Sequence, residues 1–208
     1  MNDFVIRRAV LFLLIAILAT VAVGFVLKTG ISLPGEADLS VGISDATESL
    51  HSLFKVMGTF GGTVLALAVS AALAIMPRTR RLGLVCLFVT VLLWFCVDVL
   101  MKYAVCRPRP YVYLGIEPLL SVHSEYSYPS CHTAVVFAFC GFFLRKLSIS
   151  MPLLAYGILM AVSRVSLYLH YVSDCICGAA FGLIFGLLMH IIITRYLTAK
   201  DLLRSLGY

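Results

Sequence analysis

The stretch AVLFLLIAILATVAVGFVL, residues 9–27, is a run of 19 residues without a charge. A helix needs about 20 such residues to cross the hydrocarbon core of a bilayer. No small-x-small cleavage site follows the run, so we interpret it as an anchor that stays in the protein rather than as a signal peptide. The chain is therefore expected to begin with a membrane-spanning helix.

Five more apolar segments follow, at residues 58–76, 82–97, 130–144, 147–163 and 175–194. The segments 130–144 and 147–163 are long enough to span only if their polar ends are included or are buried in protein. Together the segments predict an all-α integral membrane protein, a bundle of six transmembrane helices that forms one domain over residues 1–208.

The composition excludes a water-soluble domain. The chain is 62% hydrophobic and 12% charged, with a mean hydropathy of +1.04, whereas soluble domains are about 25% charged. We assign the formal net charge of +6 to loops that set the topology and meet lipid headgroups. Nucleic acid is therefore not expected as a partner, and the oligomeric state is left open.

The basic residues concentrate in alternate connecting segments. Ten of the 16 lie within residues 7–8, 78–81, 145–146 and 195–204. Positive loops stay in the cytoplasm, so we predict a multi-pass protein of the cytoplasmic membrane with both termini inside. Two long outer loops are then expected at roughly 28–57 and 103–129, the first with a short interfacial helix at 49–57.

Three polar clusters lie at the predicted outer helix ends: KYAVCRPRP at 102–110, PSCH at 129–132 and SRVSLYLHYVSD at 163–174. Lys102, Arg109 and Arg164 would repel one another unless an anion lay between them, and three cations suit a phosphoryl group. The helix that opens at Ser130 offers free N–H groups to the same anion.

Two histidines complete this chemistry. His170 and Asp174 are four residues apart and share one face if they are helical, so that Asp174 can orient the imidazole. An oriented neutral imidazole can attack phosphorus and form a phosphohistidine. His132, beside the anion-binding turn, can protonate the departing lipid oxygen.

The pattern Lys-x6-Arg-Pro, Pro-Ser-x-His and Ser-Arg-x5-His-x3-Asp resembles the type 2 phosphatidic acid phosphatase superfamily, in order and in spacing, over residues 102–174. The resemblance implies that no metal or other cofactor is needed. It implies a phosphate site formed by Lys102, Arg109, Ser130, the amide of Cys131, and Arg164. It also implies His170 as nucleophile, His132 as general acid and Asp174 as the partner of His170.

Cys131 replaces the glycine that is usual in the second motif. Its backbone N–H still serves, so activity is expected to survive. Cys131 as nucleophile is disfavoured, because cysteine phosphatases need an arginine in a short loop and residue 137 is Phe. A disulfide between Cys106 and Cys131 is left open, because only geometry decides it.

Two further charged residues adjoin the first motif. Asp98 lies four residues before Lys102 in an apolar helix, where a carboxylate is normally paired, and a pair with Lys102 or Arg109 is favoured over a packing role. Arg107 is expected either to assist phosphate binding or to face lipid headgroups, and the sequence does not separate these interpretations.

We therefore expect a lipid phosphatase whose substrate is presented at the outer face of the membrane. By family analogy, the expected substrate is undecaprenyl diphosphate. Phosphatidylglycerol phosphate, phosphatidate and lipid A phosphates remain open, as does a phosphotransferase. A non-enzymatic transporter or scaffold is disfavoured by the complete set His132, His170 and Asp174.

Overall fold

A computed structural model describes residues 2–29, 35–122 and 124–196, and all regular secondary structure within them is helical. The α-helices in chain order are α1 Asn2–Lys28, α2 Glu36–Ala46, α3 His51–Phe60, α4 Thr63–Ile75, α5 Arg80–Trp94, α6 Lys102–Val105, α7 Pro110–Leu114, α8 Cys131–Phe142, α9 Leu147–Ser166 and α10 Val172–Tyr196. A π-helical segment, Phe95–Met101, joins α5 to α6.

Four helical stretches are long and apolar enough to cross a membrane: Phe4–Lys28, Arg80–Val105, Leu147–Ser166 and Val172–Arg195. The pair Glu48–Phe60 and Thr63–Ile75 passes the same test as one span with a bend of 52°. The prediction of an all-helical, multi-pass membrane protein is therefore confirmed, with four or five candidate spans in the described residues.

Two segments are helical, as predicted, but their helices differ from the ones that the sequence led us to expect. The segment 49–57 is helical, but residues 51–57 belong to α3, which continues to Phe60 and forms the bent pair with α4. The segment 130–144 folds as α8, which has 12 residues. At a rise of 1.5 Å per residue, so short a helix cannot by itself reach across a hydrocarbon core of about 30 Å.

Helix α8 forms the centre of the packing. Nine of its residues are buried, and it packs against α10 and also against α9, α4 and α5. The α10 contact is close because Gly178, Gly182 and Gly186 face the backbone of α8. A Cβ at Gly182 would lie 2.2 Å from the carbonyl oxygen of Ala134. Small residues allow this approach between membrane helices, and the approach fixes the N-terminus of α8 against the start of α10.

Candidate active site

The three polar clusters meet where α8 begins, α9 ends and α10 begins. Seven of the predicted site residues are buried, with exposures of 5% or less: Lys102, Arg109, Ser130, Cys131, Arg164, His170 and Asp174. His132 is half-buried. A backbone hydrogen bond of 3.1 Å from Ser130 N–H to the Asp174 carbonyl joins the second motif to the third.

His170 lies in the turn between α9 and α10, and α10 begins only at Val172. His170 and Asp174 therefore do not share one helical face, as they would if both residues were helical. The turn nevertheless brings Nδ1 of His170 to 3.7 Å from Oδ2 of Asp174. This distance exceeds a hydrogen bond, although catalytic hydrogen bonds are often long without substrate.

The other ring nitrogen of His170 faces the cations, with Nε2 at 3.5 Å from Nη1 of Arg109. Burial lowers the pKa of His170 well below its ordinary value, and the charges of Arg109, Arg164 and Lys102 lower it further. The imidazole is therefore neutral at neutral pH. With Nδ1 turned to a carboxylate, the proton belongs on Nδ1 and the lone pair on Nε2.

The cations are held by neighbouring oxygen atoms. Arg109 donates from Nε to the carbonyl of Ser124 at 2.8 Å and from Nη1 to the carbonyl of Leu169 at 2.7 Å. Burial lowers the pKa of Arg109, which means that its charge would gain from an anion. Lys102 forms an ion pair with Asp98, for which the sequence had left Lys102 and Arg109 as possible partners.

Arg164 has a donor that is not satisfied by the described residues. Its Nη1 donates to the carbonyl of Gly58 at 3.1 Å, while its buried Nε has no hydrogen-bond partner among the described residues. Buried donors are normally satisfied, and an exception calls for an unseen partner. A phosphate oxygen would be such a partner.

The position of Arg107 agrees with neither interpretation that the sequence left open, phosphate binding or contact with lipid headgroups. Its guanidinium is buried and hydrogen-bonded to Asp174, Ser173 and Glu36, so it neither faces lipid headgroups nor offers itself to a phosphate. Burial opposes its charge, but the attraction and hydrogen bonds of Asp174 and Glu36 outweigh burial and raise the pKa of Arg107. Sequence reasoning missed Glu36, whose position in the outer loop gave no signal.

The sequence profile of the PAP2 superfamily matches residues 83–197, more than half of the chain. The chain belongs to the PAP2 superfamily. The matched range contains all three motifs, and the family predicted from them is confirmed.

Curated relatives and one solved structure are similar to this PAP2 protein. A "Lipid A 1-phosphatase" of Rhizobium johnstonii is 36% identical over 116 residues, 52% of this chain and 47% of the relative. An "Undecaprenyl-diphosphatase" of Sulfolobus acidocaldarius is 27% identical over 141 residues, 64% of this chain and 66% of the relative. The chain thus spans about half of the first relative's length and just under two thirds of the second's. Both names are those of phosphatases, in agreement with the predicted enzyme class.

The solved structure is the crystal structure of the first transmembrane PAP2 type phosphatidylglycerolphosphate phosphatase from Bacillus subtilis. It is 22% identical, with a TM-score of 0.49, and the alignment covers 88% of this chain and 93% of that one.

At the position where this PAP2 protein departs from the usual motif, Cys131 is the first residue of α8 and follows Ser130 as N-cap. The first N–H groups of a helix have no partner within it, so the amide of Cys131 is available as a donor. Its sulfur contacts Thr63 Oγ1 at 3.8 Å, while the sulfur of Cys106 donates to the carbonyl of Tyr103 at 3.0 Å. Both cysteines are free thiols, so the disulfide that the sequence left open is not formed.

His132 is the second residue of α8 and packs against the bend between α3 and α4. A Cβ placed on Gly62 would lie 2.2 Å from Cδ2 of His132. Glycine at the bend therefore makes room for the ring, and this contact was not foreseen from the sequence.

Gly62→Ala is expected to lower kcat by about 10-fold to 100-fold, because the added methyl group displaces a ring whose proton transfer contributes about 10²–10⁴. Phosphate release and the unfolding temperature in detergent should be measured together. Gly42→Ala is the matched control, since a Cβ there meets nothing within 4 Å. Equal activity in the two variants would show that the ring does not depend on Gly62.

Proposed function

We propose that this PAP2 protein is a metal-independent lipid phosphatase that works through a phosphohistidine on His170. The observation that carries the proposal is the placement of His170, buried and neutral, with Nε2 toward Arg109 and Nδ1 toward Asp174. Such a ring is poised to attack an electrophile surrounded by positive charge.

The proposed reaction has two steps. Nε2 of His170 attacks phosphorus, the bond from phosphorus to the leaving oxygen breaks, and that oxygen takes its electron pair and a proton from His132. Water then attacks the phosphohistidine, gives up a proton to His132, and releases inorganic phosphate with His170 restored. Microscopic reversibility makes His132 acid in the first step and base in the second.

The remaining residues stabilise charge. Lys102, Arg109 and Arg164 would surround the three equatorial oxygens of the phosphoryl group in the transition state. The hydroxyl of Ser130 and the amide of Cys131 would add hydrogen bonds from the start of α8. Asp174 would balance the positive charge that the ring of His170 gains on phosphorylation.

An apolar cavity supports a lipid as the substrate. It has a volume of about 420 Å³ and lies among α4, α5, α8 and α9. It begins at Gly62, against which His132 packs, and it extends to Leu73, Leu82 and Lys146. We propose that it takes the chain of the leaving lipid, which would hold the departing oxygen beside His132.

We further propose a six-span topology in which the bent pair α3–α4 and the short α8 each count as one span. Both termini would be cytoplasmic and the site would face outward, since Arg145 and Lys146 join the inner group of basic residues. α8 would reach only part of the bilayer depth, which its burial among four other helices makes tolerable.

The proposed substrate is undecaprenyl diphosphate, converted to the monophosphate. An outward site fits a diphosphate carrier lipid released at that face, and the relative named for this substrate aligns over more of the chain than the lipid A phosphatase does. Lipid A phosphates, phosphatidylglycerol phosphate and phosphatidate are the competing substrates, and transfer to a second lipid is the competing reaction.

A substrate panel tests this choice. Purified protein should release inorganic phosphate from undecaprenyl diphosphate, without any acceptor lipid, with a kcat/KM about 10-fold or more above that for the other three lipids. EDTA should not change the rate. Comparable rates on all four lipids would refute a dedicated carrier-lipid enzyme, and a strict requirement for an acceptor would refute hydrolysis.

A further inference from the structure

A buried network joins the first outer loop to the start of α10. Arg107 donates from Nη1 to Oδ1 of Asp174 at 2.5 Å and from Nη2 to Oε2 of Glu36 at 3.0 Å. The other carboxylate oxygen of Glu36 accepts the backbone N–H of Ser173 at 2.7 Å, and the hydroxyl of Ser173 accepts from Nη1 of Arg107 at 2.8 Å. Glu36, Arg107, Ser173 and Asp174 are all 5% exposed or less.

The network fixes the segment that carries His170 and Asp174. Arg107 lies over the ring of Tyr171, with Cζ at 4.1 Å from the ring centroid, and Oδ2 of Asp174 accepts the backbone N–H of Tyr171 at 2.9 Å. Glu36 on α2 and Arg107 in the first motif thus together hold residues 171, 173 and 174 in place. Because His170 immediately precedes them, its distance to Asp174 depends on these contacts.

The net charge of the network indicates a role in catalysis and not only in holding α2 against the start of α10. Two carboxylates share one guanidinium, so one negative charge remains. Without Glu36, Arg107 would cancel the charge of Asp174, and the field that stabilises a positive ring on His170 would be lost. A buried ion pair is by itself weak evidence for stability, so holding α2 in place is the poorer explanation of a network with three charged members.

We propose that Glu36 and Arg107 are positioning residues that act on His170 through Asp174, Arg107 by orienting its carboxylate and Glu36 by sharing Arg107 so that the network keeps a net negative charge beside His170. The inference rests on the proposed function of His170 and adds a residue from the first outer loop to it. Neither side chain contacts the phosphate site directly.

The test measures kcat, KM and inhibition by inorganic phosphate for Glu36→Gln, in the wild-type background and in Asp174→Asn. Outer partners that orient a working histidine are typically worth about 10-fold to 100-fold, and we expect a loss in kcat of that size with KM and the phosphate inhibition constant unchanged. In Asp174→Asn the same substitution should cost less than about 2-fold, because groups that act as a unit are not additive.

The matched control is Asp38→Asn, a second acidic residue in the first turn of α2 whose side chain is exposed. It should retain wild-type kcat. Ser173→Ala, which removes one acceptor of Arg107 and leaves no charge unpaired, keeps the test open if Glu36→Gln fails to fold. It should lower kcat a few-fold, again only when Asp174 is present.

The results distinguish a failure of this inference from a failure of the proposed function. An unchanged kcat in Glu36→Gln, or the same loss in both backgrounds, would overturn the inference while the phosphatase activity of the wild type stands. A wild-type protein that releases no phosphate from any lipid would overturn the proposed function and this inference with it.

Discussion

Replacing His170 by glutamine is expected to lower phosphate release by about 10⁴-fold or more, because removal of a nucleophile from a group that acts as a unit costs on this order. Glutamine retains a similar shape and a hydrogen-bonding end, so the buried turn keeps its contacts. Phosphate release is measured on undecaprenyl diphosphate, and the wild type labelled with ³²P lipid should also show an acid-labile phosphoprotein that the variant lacks.

His190→Gln is the matched control for this substitution. His190 lies on α10 near its far end and packs edge-on against Phe142, with ring centroids 5.5 Å apart. It should retain activity and carry the label. A His170→Gln protein within about 10-fold of the wild-type rate would exclude His170 as the nucleophile, since turnover would then proceed without it.

The sequence was informative where chemistry depends on local spacing. The order of the three motifs was sufficient to predict that Lys102, Arg164 and His170 would lie near one another, because each motif stands at the end of an apolar segment. It also predicted a pair of Asp98 with Lys102 or Arg109, and the pair that forms is the one with Lys102, four residues away. Roles for these residues stay predictions until they are measured.

The sequence was uninformative where contacts depend on how loops return to the bundle. Arg107 and Glu36 are separated by 71 positions, and nothing in either segment marks them as partners. Residues 170 and 174 have the spacing of a helical pair, but α10 begins after His170, so a backbone turn rather than a helix face sets their distance. Gly62 packs against His132 only because α3 and α4 meet at a bend.

The same limit applies to the cysteines. Cys106 and Cys131 stand in neighbouring motifs, and their side chains could have met. The left-handed backbone at Cys106 ends α6, and its thiol turns back to the carbonyl of Tyr103, while α8 directs Cys131 toward Thr63. The two thiols are kept apart because their side chains point in different directions, and composition and spacing do not encode those directions.

Replacing His132 by glutamine is expected to lower turnover of a lipid substrate by about 10²-fold to 10⁴-fold, the usual contribution of a general acid. The loss should depend on the leaving group. The alkoxide that leaves from a lipid monophosphate such as phosphatidate needs the proton, whereas 4-nitrophenolate leaves without one. In the first turnover, before His132 is needed as base, the variant should therefore approach the wild-type rate within about 10-fold on 4-nitrophenyl phosphate. The measurement is the rate at which the leaving group is released in the first turnover, for phosphatidate and 4-nitrophenyl phosphate in both proteins.

This selective recovery distinguishes the two histidines, because a better leaving group cannot replace a missing nucleophile. His170→Gln should therefore stay inactive on 4-nitrophenyl phosphate, and Gly62→Ala should recover in the same way as His132→Gln if its defect is a displaced ring. Recovery in His170→Gln, or equal losses on both substrates in His132→Gln, would reverse or remove the assigned roles. The structural reason to expect this asymmetry is that the half-buried ring of His132 packs against Gly62, which lines the apolar cavity, whereas the buried ring of His170 lies among cations.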